Sequence, residues 1–336
     1  MVQGSRSFGL RALLGGACFC LLTGVVLAQQ APVAAMFASD QKQHAKLAAS
    51  FVTVDVPATR AAAFPLRVYL SAGDLERAFD RSEFRPDGAI VPTNTDLLIT
   101  AAEPATQRIL VDRVRRQPEV WRDLEDQIGT RRAQPRAAAG EAGLLRVGID
   151  AFVMQLPRRA ANAQAIGAFP KNVCLIATDY AAGGAIDHRE LFAQDRVRKG
   201  IAACLTALDA AGVHSVVLPL VGASSGGSQQ YDPAYEGQRV LKECRLINSA
   251  AGIALGVHDF AAGRRNLREV GIVQWDKEIA DMFTPPEGSA RLTQAAENAY
   301  RTYAGQVTQA VRKGLAGNKT VPGDASGNCS AIFSAQ

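Results

Sequence analysis

The sequence predicts an α/β fold: a three-layer α/β/α domain on a mixed sheet, spanning about 51–285, with an added C-terminal helix. Three observations lead there. The first is Ser215 to Gly227, SVVLPLVGASSGG, where the near-continuous apolar run Val216, Val217, Leu218, Leu220 and Val221 has the character of a strand covered on both faces. The second is that strand-like and helix-like segments alternate on both sides of this run. The third is the helical recurrence of Leu191, Val197, Ile201, Leu205 and Leu208 directly before it. After the central strand, Gly222, Gly226 and Gly227 free the backbone to turn and offer its N–H groups, and Ser224 and Ser225 add hydroxyls, an arrangement suited to an anion. Asp232 and Pro233 then supply an N-cap and a first-turn proline for a helix expected to run through about Ser249.

In chain order, Arg6 and Arg11 precede the apolar run Ala12 to Leu27, and Val26-Leu27-Ala28 has the form of a small-residue cleavage site before Gln29. Residues 1–28 are expected to be a secretory signal peptide, and the remainder an exported protein, periplasmic or secreted, with no membrane association after cleavage. Loss of that segment, which holds two arginines and no acids, lowers the formal charge from +5 to +3. The densest charge cluster, Asp112 to Arg136, interleaves seven arginines with five acids, so it reads as a solvated mixed-charge helix and argues against a nucleic-acid binder. Of the six cysteines, Cys174, Cys204, Cys244 and Cys329 remain, in no metal-binding pattern. Four cysteines in an oxidising compartment can pair in three ways. Cys174, Cys204 and Cys244 also suit ordinary buried positions, whereas Cys329, in a polar tail, is the freest to pair.

Residues 29–50 form an N-terminal arm, either mobile or a single loose helix. Phe51 to Val56 and Leu66 to Leu70 read as strands, as does Ala89-Ile90-Val91, which stops at Pro92-Thr93-Asn94-Thr95-Asp96. Residues 97–139 are a loop and helices with Trp121 and Leu124 on an apolar face. Leu144 to Leu156 alternates like a strand, Val173 to Thr178 is another, and Glu190 to Ala211 is a helix. Val270 to Trp275 makes the last strand, followed by a short helix over Lys277 to Phe283. Past Pro285-Pro286 the segment 286–336 is an amphipathic helix and polar tail. Leu292, Ala296, Tyr300, Tyr303, Val307, Val311 and Leu315 mark a stripe over 289–316 that docks on the domain, pairs with a second copy or meets a partner, docking being the default because an apolar stripe usually belongs to its own core.

Other catalytic patterns are thin. His188, His214 and His258 cannot be set beside a cysteine from sequence, and His214, directly before the buried strand, reads as structural. Gly222-Ala223-Ser224-Ser225-Gly226 lacks the spacing and lysine of a P-loop and the form of a serine-hydrolase elbow. No metal site, no cofactor and no catalytic residue is assigned.

Several short pieces occur in an order that resembles the macrodomain family over about 65–285. They are Gly73-Asp74-Leu75 after a strand, Ala89-Ile90-Val91 leading to Asn94, Pro219 followed by Gly222 to Gly227, and Ile272-Val273-Gln274-Trp275-Asp276. The resemblance implies a divergent, exported module binding ADP-ribose or a related nucleotide diphosphate. It makes Asp74 the adenine contact, Asn94 the distal-ribose contact, and Gly222, Ala223, Ser224, Ser225, Gly226 and Gly227 a phosphate cradle of backbone N–H groups. Trp275 either offers a stacking platform for a base or closes the end of the core. The chain departs from the family where a run of glycines would follow the asparagine: Ile99 to Pro104 stand there, with side chains and a proline that limit close backbone approach. Ser224 also replaces a glycine of the late loop. Hydrolysis of ADP-ribosyl bonds is the activity the resemblance would add. The competing expectation is a non-catalytic macrodomain acting as a periplasmic protein-binding or scaffold module through 289–316, with a domain that stays folded when 289–336 is removed.

Overall fold

The computed structural model describes residues 32–43, 51–58, 64–71, 75, 79, 85–94, 96–97, 105–133, 145, 150–156, 170–179, 194–221, 236–273 and 294–319. Its strands are β1 (Val52–Val56), β2 (Leu66–Ser71), β3 (Gly88–Asn94), β4 (Ala151–Gln155), β5 (Asn172–Asp179), β6 (Ser215–Pro219) and β7 (Glu269–Val273). Its helices are α1 (Pro32–Gln43), α2 (Ala105–Val114), α3 (Pro118–Arg132), α4 (Gln194–Ala210), α5 (Glu236–Ala261) and α6 (Gln294–Leu315). The strands form one seven-stranded sheet in the order β1-β2-β7-β6-β3-β5-β4. The outer pairs β1/β2 and β4/β5 are antiparallel, and the five inner strands are parallel. The mixed sheet read from the sequence is therefore present, with the apolar run of β6 near its centre.

Period-two alternation divides the inner strands between two cores. Val68, Leu70, Ile90, Cys174, Val216, Leu218, Val270 and Ile272 face the layer that contains α4, α5 and α6. Tyr69, Ala89, Val91, Val173, Leu175, Val217 and Val273 face the layer that contains α1, α2 and α3, together with Leu75, Phe79 and Leu97.

In the first layer α5 is buried on every side from Leu246 to Val257, as a helix must be when it is flanked by two helices and backed by a sheet. Small residues set the spacing. A Cβ on Gly256 would lie 2.6 Å from the Arg198 carbonyl oxygen, and one on Gly252 would lie 2.9 Å from that of Gln194, so α4 and α5 touch through their backbones. The helix runs past Ser249, where the sequence reading ended it, to Ala261. Asn248, Ser249, Gly252 and Gly256 are buried within it. On the outer side of α5, α6 buries Tyr303, Val307, Val311 and Leu315. The stripe from Tyr303 to Leu315 is thus occupied by its own domain.

Cys174 of β5 and Cys204 of α4 form a disulfide with a Cα–Cα distance of 5.8 Å, both fully buried. They are not the ordinary buried thiols that their apolar neighbourhoods suggested, because α4 lies directly over β5 and brings the two side chains face to face. The side chain of Cys244, and Cys329, fall outside the described residues.

Helix α1 fixes the N-terminal segment against the other face of β2, β7 and β6. Its 12 residues span about 18 Å, close to the length of the strands it crosses. Gly271 makes room for it, since a Cβ there would meet Val33 at 2.8 Å. Each end is held by a buried carboxyl group. Glu269 accepts the Val33 N–H at 3.2 Å and that of Ala34, and Asp40 accepts the Ser71 hydroxyl at 3.2 Å.

Burial pushes the Glu269 carboxyl up to about 7, against the Val33 and Ala34 N–H groups and the Tyr69 hydroxyl, which favour its charged form. Because this value is raised from 4.5, the folded state holds the proton more tightly than the unfolded state does. Below pH 4.5 the group is protonated in both states and costs nothing. Between there and about 7 the penalty grows, and above 7 it is fully expressed, at about 3 kcal/mol. Urea unfolding of Glu269→Gln beside the native chain should therefore show the native protein losing ground by most of that amount, about 2.5 kcal/mol, from pH 5 to pH 8. A difference that is flat with pH would contradict this account of Glu269.

Candidate functional site

The five inner strands are parallel, so their carboxyl ends share one edge of the sheet, and the four strands β2, β7, β6 and β3 that carry the sequence-derived site segments are consecutive neighbours. Of the residues read as site residues, Asn94 is described, at the end of β3. Asp74, three residues beyond the end of β2, Gly222, Ala223, Ser224, Ser225, Gly226 and Gly227, directly after Val221, and Trp275, two residues past β7, lie outside the described residues. The described chain leading into each of these segments ends at the same edge.

The edge is interrupted between β3 and β6. These strands are paired at Gly88/Val216 and Ala89/Val217, whereas β3 stays paired with β5 through Asn94. The strand read from the sequence as stopping at Pro92 continues along β5 past that proline, which can donate no ladder bond. From Ala89 onward, β3 follows β5 and the ladder to β6 lapses.

The connections diverge at the same place. The chain leaving β3 passes through α2 and α3 on one face, and the chain leaving β6 passes through α5 on the other. Adjacent parallel strands whose connections leave to opposite faces define a topological switch point, where open α/β sheets form a crevice outside the strand ends.

Each strand end at this switch point is tied down from its own layer. On the β3 side, Asn94 accepts the Asp96 N–H through Oδ1 at 3.1 Å, and its carbonyl accepts the Leu97 N–H at 3.2 Å. The Asn94 carboxamide oxygen thus organises the turn. Leu97 closes that turn with a φ of 56°, a left-handed conformation that costs a leucine about 1–3 kcal/mol. Its fully buried side chain and the guanidinium of Arg132 hold it there; Arg132 donates to the Asp96 carbonyl from Nη2 at 3.1 Å and from Nε at 3.3 Å.

On the β6 side, the Ser249 hydroxyl donates to the Val221 carbonyl at 2.6 Å. Both residues are buried, Ser249 on α5 and Val221 as the last described residue before Gly222. Beside Ser249 on the same helix, Asn248 accepts the side-chain amide N–H of Gln194 on α4 at 3.2 Å. Sequence reasoning missed Arg132 and Ser249. The signal for Ser249 was a polar pair inside an apolar helix, a placement that requires a hydrogen-bond partner. Arg132 carried no signal, because nothing local separates it from the other arginines of its helix.

His214 sits at the opposite edge, where its N–H donates to Asp87 Oδ2 at 3.0 Å and its carbonyl accepts the Arg268 and Glu269 N–H groups. It ties strand starts together, in keeping with a structural role.

No protein-family model and no curated protein matches the chain. Solved macrodomain structures are among those the chain matches, at low identity and with TM-scores below 0.5. The macrodomain of Oceanobacillus iheyensis with MES bound is 9% identical over 78% of this chain and 99% of that chain, with a TM-score of 0.36. The same macrodomain with ADP is 9% identical over 77% and 98%, with a TM-score of 0.35. Thermosipho africanus DarTG in complex with ADP-ribose is 11% identical over 73% of this chain and 47% of that chain, with a TM-score of 0.36.

Proposed function

We propose that this chain is an exported macrodomain-like protein that binds ADP-ribose, or a related nucleotide diphosphate, in the crevice between β3 and β6. The observation that carries the reading is the break in the β3/β6 ladder at the switch point, with the Asn94 turn at the end of β3; the sequence that follows Val221 is rich in glycine and serine. Backbone N–H groups in a glycine-rich turn at the end of a parallel strand suit a diphosphate, which needs several donors at close range and no side chain between them. Asn94, at the end of β3 where its Oδ1 accepts the Asp96 N–H, is the proposed distal-ribose contact. Asp74 on the adenine and Trp275 beside the base complete the proposed arrangement.

Hydrolysis of an ADP-ribosyl bond, with the bound diphosphate helping to place the attacking water, is the catalytic extension of this reading. It is checked by release of ADP-ribose from a modified protein. The disulfide supports export, since such bonds persist in oxidising compartments.

Thermal unfolding with and without millimolar ADP-ribose, against AMP and inorganic phosphate, tests the binding reading. Ligand at 100 times its dissociation constant adds about 2.7 kcal/mol, a shift of several degrees. A shift specific to ADP-ribose supports the proposal; no shift, or an equal one with phosphate, removes it.

A further inference from the structure

We propose that α1 is a proton-dependent strap: it lies docked across β2, β7 and β6 while the Glu269 carboxyl beneath its first turn holds a proton, and it comes away from the sheet when that carboxyl ionises. One buried acid sits where the two parts meet. Glu269, at the start of β7, is 4% exposed and accepts the Val33 N–H from α1 at 3.2 Å. The bonds from Val33, Ala34 and the Tyr69 hydroxyl offset only part of the desolvation of a buried carboxylate, which is why the group is raised to about 7. Undocking α1 returns Glu269 to water, so loss of the proton favours the open form.

The surroundings of Glu269 assign the proton to it. On α1, Pro32 to Ser39 carry no ionisable side chain, and Asp40 and Lys42 lie toward the other end. On β2, Tyr69 donates its hydroxyl at 3.5 Å, and Arg67, opposite Glu269 in register, is bonded to Asp55 of β1 at 2.9 Å. Ser215 is the register partner from β6; before it, the His214 ring lies 3.7 Å from Asp87. Arg268 places its guanidinium over the Phe64 ring at 4.6 Å. Release is local because α1 is lightly held. Val33, Met36, Phe37 and Asp40 are its buried residues among those described, and a helix of 12 residues is marginal by itself. The strands beneath keep their own ladders. At its far end Asp40 is bonded to Ser71, the last residue of β2, so the strap runs from the amino edge of the sheet to the carboxyl edge. Opening uncovers Tyr69, whose ring packs on that of Phe37 at 5.1 Å.

The test is amide hydrogen exchange of the full chain and of Glu269→Gln at pH 5 and pH 8, expressed as protection relative to an unstructured peptide at each pH. In the native chain, protection over residues 36–42 should lie at least about tenfold below that of α4 at both pH values. It should fall about seventyfold from pH 5 to pH 8, and in Glu269→Gln that fall should be absent. Equal protection of α1 and α4 would mean that the helix leaves only when the whole domain unfolds. A fall that persists in Glu269→Gln would place the proton elsewhere, with His214 the first alternative. Either result overturns the strap. Should Glu269→Gln fail to fold, the native chain decides: protection over 36–42 that is level with pH, or equal to that of α4, overturns the proposal, and a fall that levels off above about pH 7 upholds it.

Discussion

Removal of residues 294–336 is expected to leave a chain that no longer unfolds cooperatively. Tyr303, Val307, Val311 and Leu315 of α6 are buried against a helix that is apolar all round, and full burial of each such side chain is worth about 1.5–3 kcal/mol. Their sum, on the order of 6–12 kcal/mol, matches the entire stability of a typical domain. The deletion also returns the outer face of α5 to water. A point substitution should give the same result in smaller form. A Cβ on Gly314 would lie 2.6 Å from the Ala254 Cβ and 3.0 Å from the Ala251 carbonyl oxygen, both fixed parts of α5, so Gly314→Val should cost about 3 kcal/mol or more. The helix end is tied as well: the His258 ring bonds the Leu315 carbonyl through Nδ1 at 3.0 Å, and Lys319 pairs with Asp195 of α4 at 3.1 Å. Circular dichroism melts of the truncated and substituted chains check this. A truncated chain that melts cooperatively within about 1 kcal/mol of the full chain would show that the docking of α6 contributes little. The expectation that the domain stays folded without 289–336 treated the stripe as a free surface, and its burial reverses that expectation.

Replacing Cys174 and Cys204 together by alanine is expected to cost close to 4 kcal/mol. The bond closes a loop with a sequence separation of 30, and restriction of the unfolded chain alone accounts for that figure. In a domain of this size the loss lowers the midpoint by roughly 10 °C. Dithiothreitol should act in the same direction wherever unfolding exposes the pair. Non-reducing peptide mapping gives a direct check, with a peptide from β5 cross-linked to one from α4. Two alkylatable thiols at these positions in protein from an oxidising compartment would contradict the assignment and remove the support that the disulfide lends to export.

The sheet was legible because its signals are local. Val216 to Leu218 and Val270 to Ile272 are apolar runs that suit strands covered on both faces, and Val197, Ile201 and Leu205 recur at helical spacing. Three features were hidden because they depend on what lies opposite. Pro92 read as the end of β3, yet β3 continues along β5 where it parts from β6. The helix expected to run through about Ser249 goes on to Ala261, with the polar groups of Asn248 and Ser249 taken up by the Gln194 side chain and the Val221 carbonyl. Residues 29–50 showed no strand pattern, and α1 is held by Glu269 and Ser71, from distant parts of the chain, as much as by its own apolar residues. Within the candidate site, Asn94 and the turn after Val221 stood out as residue types suited to a ligand. Arg132, which holds the Asn94 turn, and Ser249, which bonds the Val221 carbonyl, are common residue types whose contacts are visible only once α3 and α5 are in place.

The account rests on a nucleotide diphosphate bound at the β3/β6 switch point, and amide hydrogen exchange of the full chain with and without ADP-ribose tests that claim most directly. The predicted result is slowed exchange confined to the carboxyl edge of the sheet, over 94–97 and 221–227, with the opposite edge around Asp87, His214 and Glu269 unaffected. Protection at that opposite edge, or no protection at ligand concentrations that saturate a working site, would contradict it.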